Sequence, residues 1–283
     1  MRIDELLAAG PTRSFEFFPP KSDEESAILA ASLEDIQPLQ PSFVSVTYRG
    51  GRESRLRTYD LVTQIERDGY VTAMAHVICV GHTRAEMRDL LKNYAEAGVV
   101  NIMALGGDLP DDPAAANSEF EHAIDLVELT REIGDFSVGV AAHPAGHPRS
   151  SDRASDRRFL ADKLRIADFA VTQFFFESAE WTRLVAELAE LGVTKPVLPG
   201  IMPVTTITGI ERMKTMGAAV PSALAERLTA ADKRGGPPEV RAEGIRAAIA
   251  LCQELLDADA PGLHFYTLNR STATSEIYHA LFE

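Results

Sequence analysis

The sequence predicts an α/β protein, a (β/α)8 barrel in a single domain. Three observations carry the prediction. Eight short apolar runs alternate with helical stretches, and strict alternation makes parallel strands joined by crossover helices. The first four run starts, at residues 14, 43, 72 and 101, fall 29 residues apart, about one strand–helix unit each. Neither G-x-G-x-x-G nor G-x-x-x-x-G-K-[ST] follows any run, so no nucleotide fingerprint supports the alternative, a doubly wound open sheet.

The elements follow in order. Residues 14–18 (S-F-E-F-F) form strand one, stopped by Pro19-Pro20, and residues 22–33 a helix with Ser22 as cap and Glu25 three residues on. Residues 43–48 form strand two and 53–67 a helix. Residues 72–80 form strand three, with a helix over 84–97. Strand four, 101–105, ends on Gly106-Gly107-Asp108, where glycines permit a sharp turn and close approach of a ligand. A helix over 120–133 precedes strand five, 137–142, and one over 152–165 precedes strand six, 169–175. A helix over 179–191 leads to strand seven, 196–202. Two or three helices fill 206–256, strand eight covers 263–268, and a last helix 272–281.

Composition narrows the function. The 283 residues, 45% hydrophobic, suffice for one barrel, expected to span 1–283 as a catalytic domain with no regulatory domain. A net charge of −14 argues against a nucleic-acid or anionic-membrane binder. Cys79 and Cys252 stand in unrelated contexts, so neither a disulfide framework nor a cysteine metal knuckle is expected. With no apolar run near the roughly 18 residues of a span and no signal-peptide pattern, a cytoplasmic location is expected.

In a barrel of this kind the site lies at the C-terminal strand ends. Those ends carry Glu16, Thr47, Tyr48, His76, Asp108, His143, Gln173, Met202, Asn269 and Arg270. Glu16 alternates with Phe15 and Phe17 and so faces away from both. A lone carboxylate in the barrel mouth is costly unless paired or protonated, and a raised pKa would make it a general acid; a structural ion pair is the alternative. Gln173 sits among apolar residues, where its amide suits the edge of an amide-like heterocycle or is a satisfied core group. Asp108 is a loop cap or a site residue, and His76 a buried structural histidine or a site residue. His143 and His147, in H-P-A-G-H, read as loop residues, because Pro144 and Gly146 spoil the helix a metal pair would need; no metal is expected.

Six stretches in register resemble the methylenetetrahydrofolate reductase family: S-F-E-F-F-P-P at 14–20, F-V-S-V-T-Y at 43–48, L-G-G-D-L-P at 105–110, T-Q-F-F-F at 172–176, P-G-I-M-P-V at 199–204 and H-F-Y-T-L-N-R at 264–270. The resemblance covers essentially the whole chain and implies the same barrel. It implies reduction of 5,10-methylenetetrahydrofolate to 5-methyltetrahydrofolate with hydride from NADH or NADPH, usually relayed by FAD. Glu16 takes the role of acid near N10, Asp108 that of a carboxylate beside the cationic iminium, and Asp108 with Gln173 that of pterin readers. Tyr48 and Arg270 are implied as substrate contacts. Thr47, His76, His147, Asp156, Lys163 and Arg270 match flavin-contact positions. Arg49 and His143 stand at that pocket as departures from the family pattern, which has a small residue and a tyrosine there. Gly106 replaces an arginine, and Leu56 an acidic residue. These departures imply a flavin-free variant with direct hydride transfer. The ordinary FAD-dependent enzyme, with ping-pong kinetics, is the alternative, and a non-catalytic folate-binding paralogue a third reading. A tetrahydrofolate derivative is the expected partner.

Overall fold

Side-chain alternation sorts each strand into two faces, and the faces build the molecule. The computed structural model describes residues 1–48, 52–107 and 118–283. Among these, the strands are β1 (Thr12–Phe17), β2 (Phe43–Val46), β3 (Thr72–Ile78), β4 (Asn101–Leu105), β5 (Ser137–Ala142), β6 (Phe169–Thr172), β7 (Val197–Leu198), β8 (Gly200–Ile201) and β9 (Gly262–Tyr266). All pairings are parallel, in the order β7-β6-β5-β4-β3-β2-β1-β9-β8. β7 and β8 are halves of one stave broken at Pro199. The first half pairs with β6, the second with β9, and so the ring of eight staves closes. The prediction of one strand over 196–202 therefore holds in position, with a break where proline has no N–H to give the ladder.

The helices are α1 (Ile3–Ala9), α2 (Asp23–Ile36), α3 (Arg52–Asp68), α4 (Arg84–Glu96), α5 (Ala123–Ile133), α6 (Arg153–Ile166), α7 (Ser178–Glu190), α8 (Ile207–Thr215), α9 (Ser222–Gly235), α10 (Pro237–Asp257) and α11 (Thr272–Phe282). Helix starts follow the local chemistry. Ser22 accepts from the Glu25 amide, and Thr83 with Glu86 forms a reciprocal capping box at α4.

Outward side chains make the main core between sheet and helices. Phe15, Phe17, Val44, Val46, Ala73, Ala75 and Val77 belong to it. Inward side chains fill the barrel in layers. A lower layer of Phe43, Met74, Met103, Phe169 and Leu198 packs on Ile3 of α1. α1, which no sequence period announces, closes the N-terminal end. Its Ile3 amide donates to Asn101 Oδ1 at 2.8 Å and its Asp4 amide to Ser137 Oγ at 3.1 Å. Asn101 and Ser137 are tied up by α1 at this end, and the inward polar groups of the candidate site stand at the opposite end.

Two glycines shape that end. Gly107 turns the chain after β4 with φ +86°, and a Cβ there would sit 2.3 Å from Ile78 Cγ2. At Gly200 a Cβ would lie 2.5 Å from Tyr266 Cε2, so the missing side chain makes room for that ring. The Tyr266 hydroxyl then donates to the Thr172 carbonyl at 2.7 Å.

Candidate functional site

β1, β2, β3 and β9 lie side by side and bring four inward residues together. Glu16 Oε2 stands 3.3 Å from His76 Nε2, 3.5 Å from His264 Nε2 and 3.4 Å from Ser45 Oγ, which donates to it. The register explains this: Glu16 pairs with Ser45 on one side and Tyr266 on the other. The Glu16 side chain keeps 12% of its surface open. His76 is buried, and among the described residues neither of its ring nitrogens has an aligned hydrogen bond. Its 3.3 Å approach to Glu16 is an ion-pair distance only.

The protonation of this cluster differs from the expectation of a carboxyl simply raised by burial. Burial does push the Glu16 carboxyl up, but the His76 charge and the His264 contact pull it below the ordinary carboxylate range. The pull acts only while an imidazole carries a proton, and burial pushes His76 down. The Glu16 carboxyl and the His76 imidazole therefore titrate as one group. With one proton on the pair, either a carboxylate stands beside the His76 imidazolium or a carboxylic acid beside the neutral His76 ring. Those two singly protonated forms place one transferable proton at the barrel mouth.

Gln173 follows β6 with inward parity and is half-buried. Its Nε2 donates to the Met216 carbonyl at 3.1 Å, and its Oε1 accepts from the Phe174 amide at 3.0 Å. Those bonds orient the amide and leave one N–H and one lone pair for a ligand.

A second polar cluster stands at the end of β5. Asp156 accepts from the His147 amide at 2.9 Å, from Ser150 Oγ and from Arg157 Nη1. Arg157, 3% exposed, also bonds the carbonyls of His143 and Pro144 and Glu187 Oε2. Lys163 Nζ donates to the Ala141 carbonyl at 3.1 Å, and His147 Nδ1 accepts from the Arg149 amide at 3.1 Å. Burial brings the Lys163 ammonium down to about 8. Burial, with the charges of His147 and Lys163, brings His143 down to about 4. The His143 and His147 rings meet edge to face, 4.7 Å between centroids.

The remaining predicted residues are dispersed. Tyr48 has the outward parity of Val44 and Val46; it is buried, and its hydroxyl pairs with His82 Nε2 at 3.0 Å, away from Glu16. The Thr47 amide donates to the Phe17 carbonyl, and its own carbonyl accepts from Thr58 Oγ1. Met202 is buried in an apolar cluster with Phe174 and Val204. Asn269 ties the end of β1 to that of β9, its side chain bonding both the amide and the carbonyl of Phe18. Arg270 is exposed. Arg49 and Asp108 lie outside the described residues. Two residues went unnoticed in the sequence. His264 alternates with Leu263 and Phe265 as Glu16 does with its phenylalanines, and that parity was the available signal. Arg149, in the loop after β5, donates to the Gly107 carbonyl at 3.4 Å and reaches within 3.7 Å of where a Gly106 Cβ would stand.

Comparisons with known proteins place the chain as a whole. A solved structure of an uncharacterized protein from Clostridium thermocellum that binds two copies of 5-methyl-5,6,7,8-tetrahydrofolic acid shares the fold. Its TM-score is 0.67 at 15% identity, over 99% of this chain and 96% of that one. The 5,10-methylenetetrahydrofolate reductase of Pectobacterium carotovorum is 33% identical over 95% of this chain and 89% of its own length. That of Escherichia coli is 32% identical over 95% and 90%. The family model described as methylenetetrahydrofolate reductase matches residues 2–282. With its barrel, its inward Glu16 and this match along the whole chain, the protein belongs to the methylenetetrahydrofolate reductase family.

Proposed function

We propose that this chain, as one catalytic domain, reduces 5,10-methylenetetrahydrofolate to 5-methyltetrahydrofolate with hydride taken directly from NADH or NADPH. The observation that carries the reading is Glu16, an inward carboxyl 3.3 Å from His76 and 3.5 Å from His264, open to the barrel mouth above an apolar floor. Proton transfer to N10 breaks its bond to the methylene carbon and leaves an iminium at N5. Hydride from the reduced nicotinamide then adds to that carbon and makes the N5-methyl group. Each turnover consumes one proton, which the Glu16–His76–His264 cluster supplies. Asp108 is assigned to the iminium as its counter-charge, and the free N–H and lone pair of Gln173 to the pterin edge. Arg270 is assigned to the anionic end of the folate. The two cysteines, both buried and unpaired, are compatible with the reducing cytosol.

Flavin chemistry is not used in this reading, because three of the six residues matching flavin-contact positions are engaged within the protein. Asp156, Lys163 and His147 are bonded to Arg157, to the Ala141 carbonyl and to the Arg149 amide. Those bonds hold the loop after β5, and the reading assigns the three residues to that loop. Direct transfer needs only that the iminium and nicotinamide be held in line.

The test is steady-state kinetics and a visible spectrum of the purified protein. NAD(P)H oxidation with methylenetetrahydrofolate and no added flavin, in a sequential pattern, is the expected result. Ping-pong kinetics with a bleachable yellow chromophore would overturn direct transfer. No oxidation of either nicotinamide, with or without FAD, would overturn the reductase itself and leave folate binding alone.

A further inference from the structure

We propose that the turn closing α8 fixes the amide order of Gln173, so that the site accepts a lactam edge, a ring N–H beside a ring carbonyl, and rejects an amidine edge. α8 ends in a glycine turn. The Ala218 amide donates to the Met213 carbonyl at 3.2 Å and the Gly217 amide to the Lys214 carbonyl at 3.3 Å, with Gly217 at φ +118°. That turn leaves the Met216 carbonyl with no helical partner. Gln173 Nε2 donates to it at 3.1 Å. Gly217 permits the approach, since a Cβ there would stand 3.2 Å from the same nitrogen. On the other side, Gln173 Oε1 accepts from the Phe174 amide at 3.0 Å. Met216 and Ala218 pack against the apolar cluster that holds Phe174 and Met202, so the turn and the end of β6 are one packed unit.

A carbonyl only accepts, and a backbone amide only donates. Turning the Gln173 amide over would set its oxygen against the Met216 carbonyl and its NH2 against the Phe174 amide, two like-with-like contacts at a half-buried position. The order is therefore fixed before any ligand arrives. The remaining N–H and lone pair meet a lactam in one sense only, the N–H to the ring carbonyl and the oxygen to the ring N–H. A 4-oxopterin has that edge at C4 and N3. Replacing the 4-oxo group with an amino group reverses both partners, making a donor at C4 and an acceptor at N3. A glutamine free to turn over would pair with either edge. This one is held, so the 4-amino ring leaves polar groups unpaired, and rejection comes from mismatch rather than from size.

The inference rests on Gln173 reading the pterin edge in the proposed reaction, and the two fail separately. In equilibrium binding the protein should hold tetrahydrofolate about 10²-fold tighter than its 4-amino-4-deoxy analogue, because two hydrogen bonds are lost at once. Gln173→Ala should weaken tetrahydrofolate and bring the preference close to unity. In Gly217→Ala the added methyl group pushes Nε2 off the Met216 carbonyl, and the preference should drop to about tenfold as the amide is released. Nitrogen-15 relaxation reads the wild type without folate, so it decides even where Gly217→Ala does not fold. The Gln173 side-chain amide, identified by its absence in Gln173→Ala, should be as ordered as rigid backbone, with an order parameter of about 0.85. A value below about 0.6 would overturn the fixed order. So would equal affinity of the wild type for the two pteridines, or the full preference kept in a folded Gly217→Ala. No binding of tetrahydrofolate at all would instead overturn the folate reading, and the specificity with it.

Discussion

Two polar clusters share one end of this barrel, and they are built on opposite rules. Around Arg157, at the end of β5, the polar atoms are bonded within the protein. Arg157 alone bonds two backbone carbonyls and two carboxylates. Around Glu16, across β1, β3 and β9, contacts are longer, 3.3 to 3.5 Å, and the buried His76 ring has no aligned partner among the described residues. A saturated buried network rigidifies its surroundings, whereas an under-satisfied one carries an energetic cost that a ligand can relieve. The contrast supports the proposed division, in which one cluster holds a loop and the other carries the chemistry.

The sharpest way to break that contrast is Glu16→Gln. The amide keeps the shape and cannot deliver a proton. kcat should fall roughly 10²- to 10⁴-fold, the range for a positioned acid, with folate affinity and unfolding midpoint near wild type. Stopped-flow turnover and urea titration check the two halves. Normal turnover would reduce the cluster to a structural ion group.

Arg157→Leu should do the reverse. Removing the guanidinium takes the counter-charge from buried Asp156 and a donor from the His143 and Pro144 carbonyls, at a cost of about 3–5 kcal/mol of stability. The urea midpoint should drop while the rate of the chemical step holds. A variant as stable as wild type but slow would move Arg157 into the reacting site.

His143 tests the same cluster by pH. Its folded pKa, about 4, lies below the ordinary 6.5 of the unfolded chain. The unfolded state therefore takes up a proton first as pH falls. Stability from this group is full above about 6.5 and is lost as pH falls through 4, up to about 3 kcal/mol in all. Urea titrations between those limits measure the slope, and His143→Gln should flatten it. An unchanged slope would mean that His143 is not kept neutral by its surroundings.

Much of this was legible from the residues, for identifiable reasons. Alternation and spacing reveal the eight staves, because a buried parallel strand between helices leaves a local pattern. Glu16 was legible because its parity opposes Phe15 and Phe17. The same reasoning applied to Tyr48 would have turned it outward with Val44 and Val46, where it meets His82. α1 was not legible because seven residues make too short a period, and its stability comes from docking on the barrel floor. The lowered direction of Glu16 was not legible because His76 and His264 lie 60 and 248 residues away in the chain, and only closure of the ring brings them together. The partners of Asp156 and Lys163 were hidden likewise, in a loop whose path no local rule dictates.

The smallest effect belongs outside both clusters. Arg270 is exposed just beyond β9, and among the described residues its side chain has no hydrogen-bond or ion-pair partner. A net charge of −14 repels the anionic tail of a folate, so a cation at the rim must work against the rest of the surface. An exposed charge contact contributes little, so Arg270→Ala should weaken folate binding only about two- to fivefold. Salt is the better discriminator. At about 0.1 M the screening length is about 10 Å, so affinity should fall with added salt in the wild type and less steeply in Arg270→Ala. The variant should leave kcat unchanged, since the rim holds the tail and not the reacting carbon. Equal salt slopes in the two proteins, measured by equilibrium binding of the folate, would place the tail elsewhere on the rim, with Arg149 as the next cation to test.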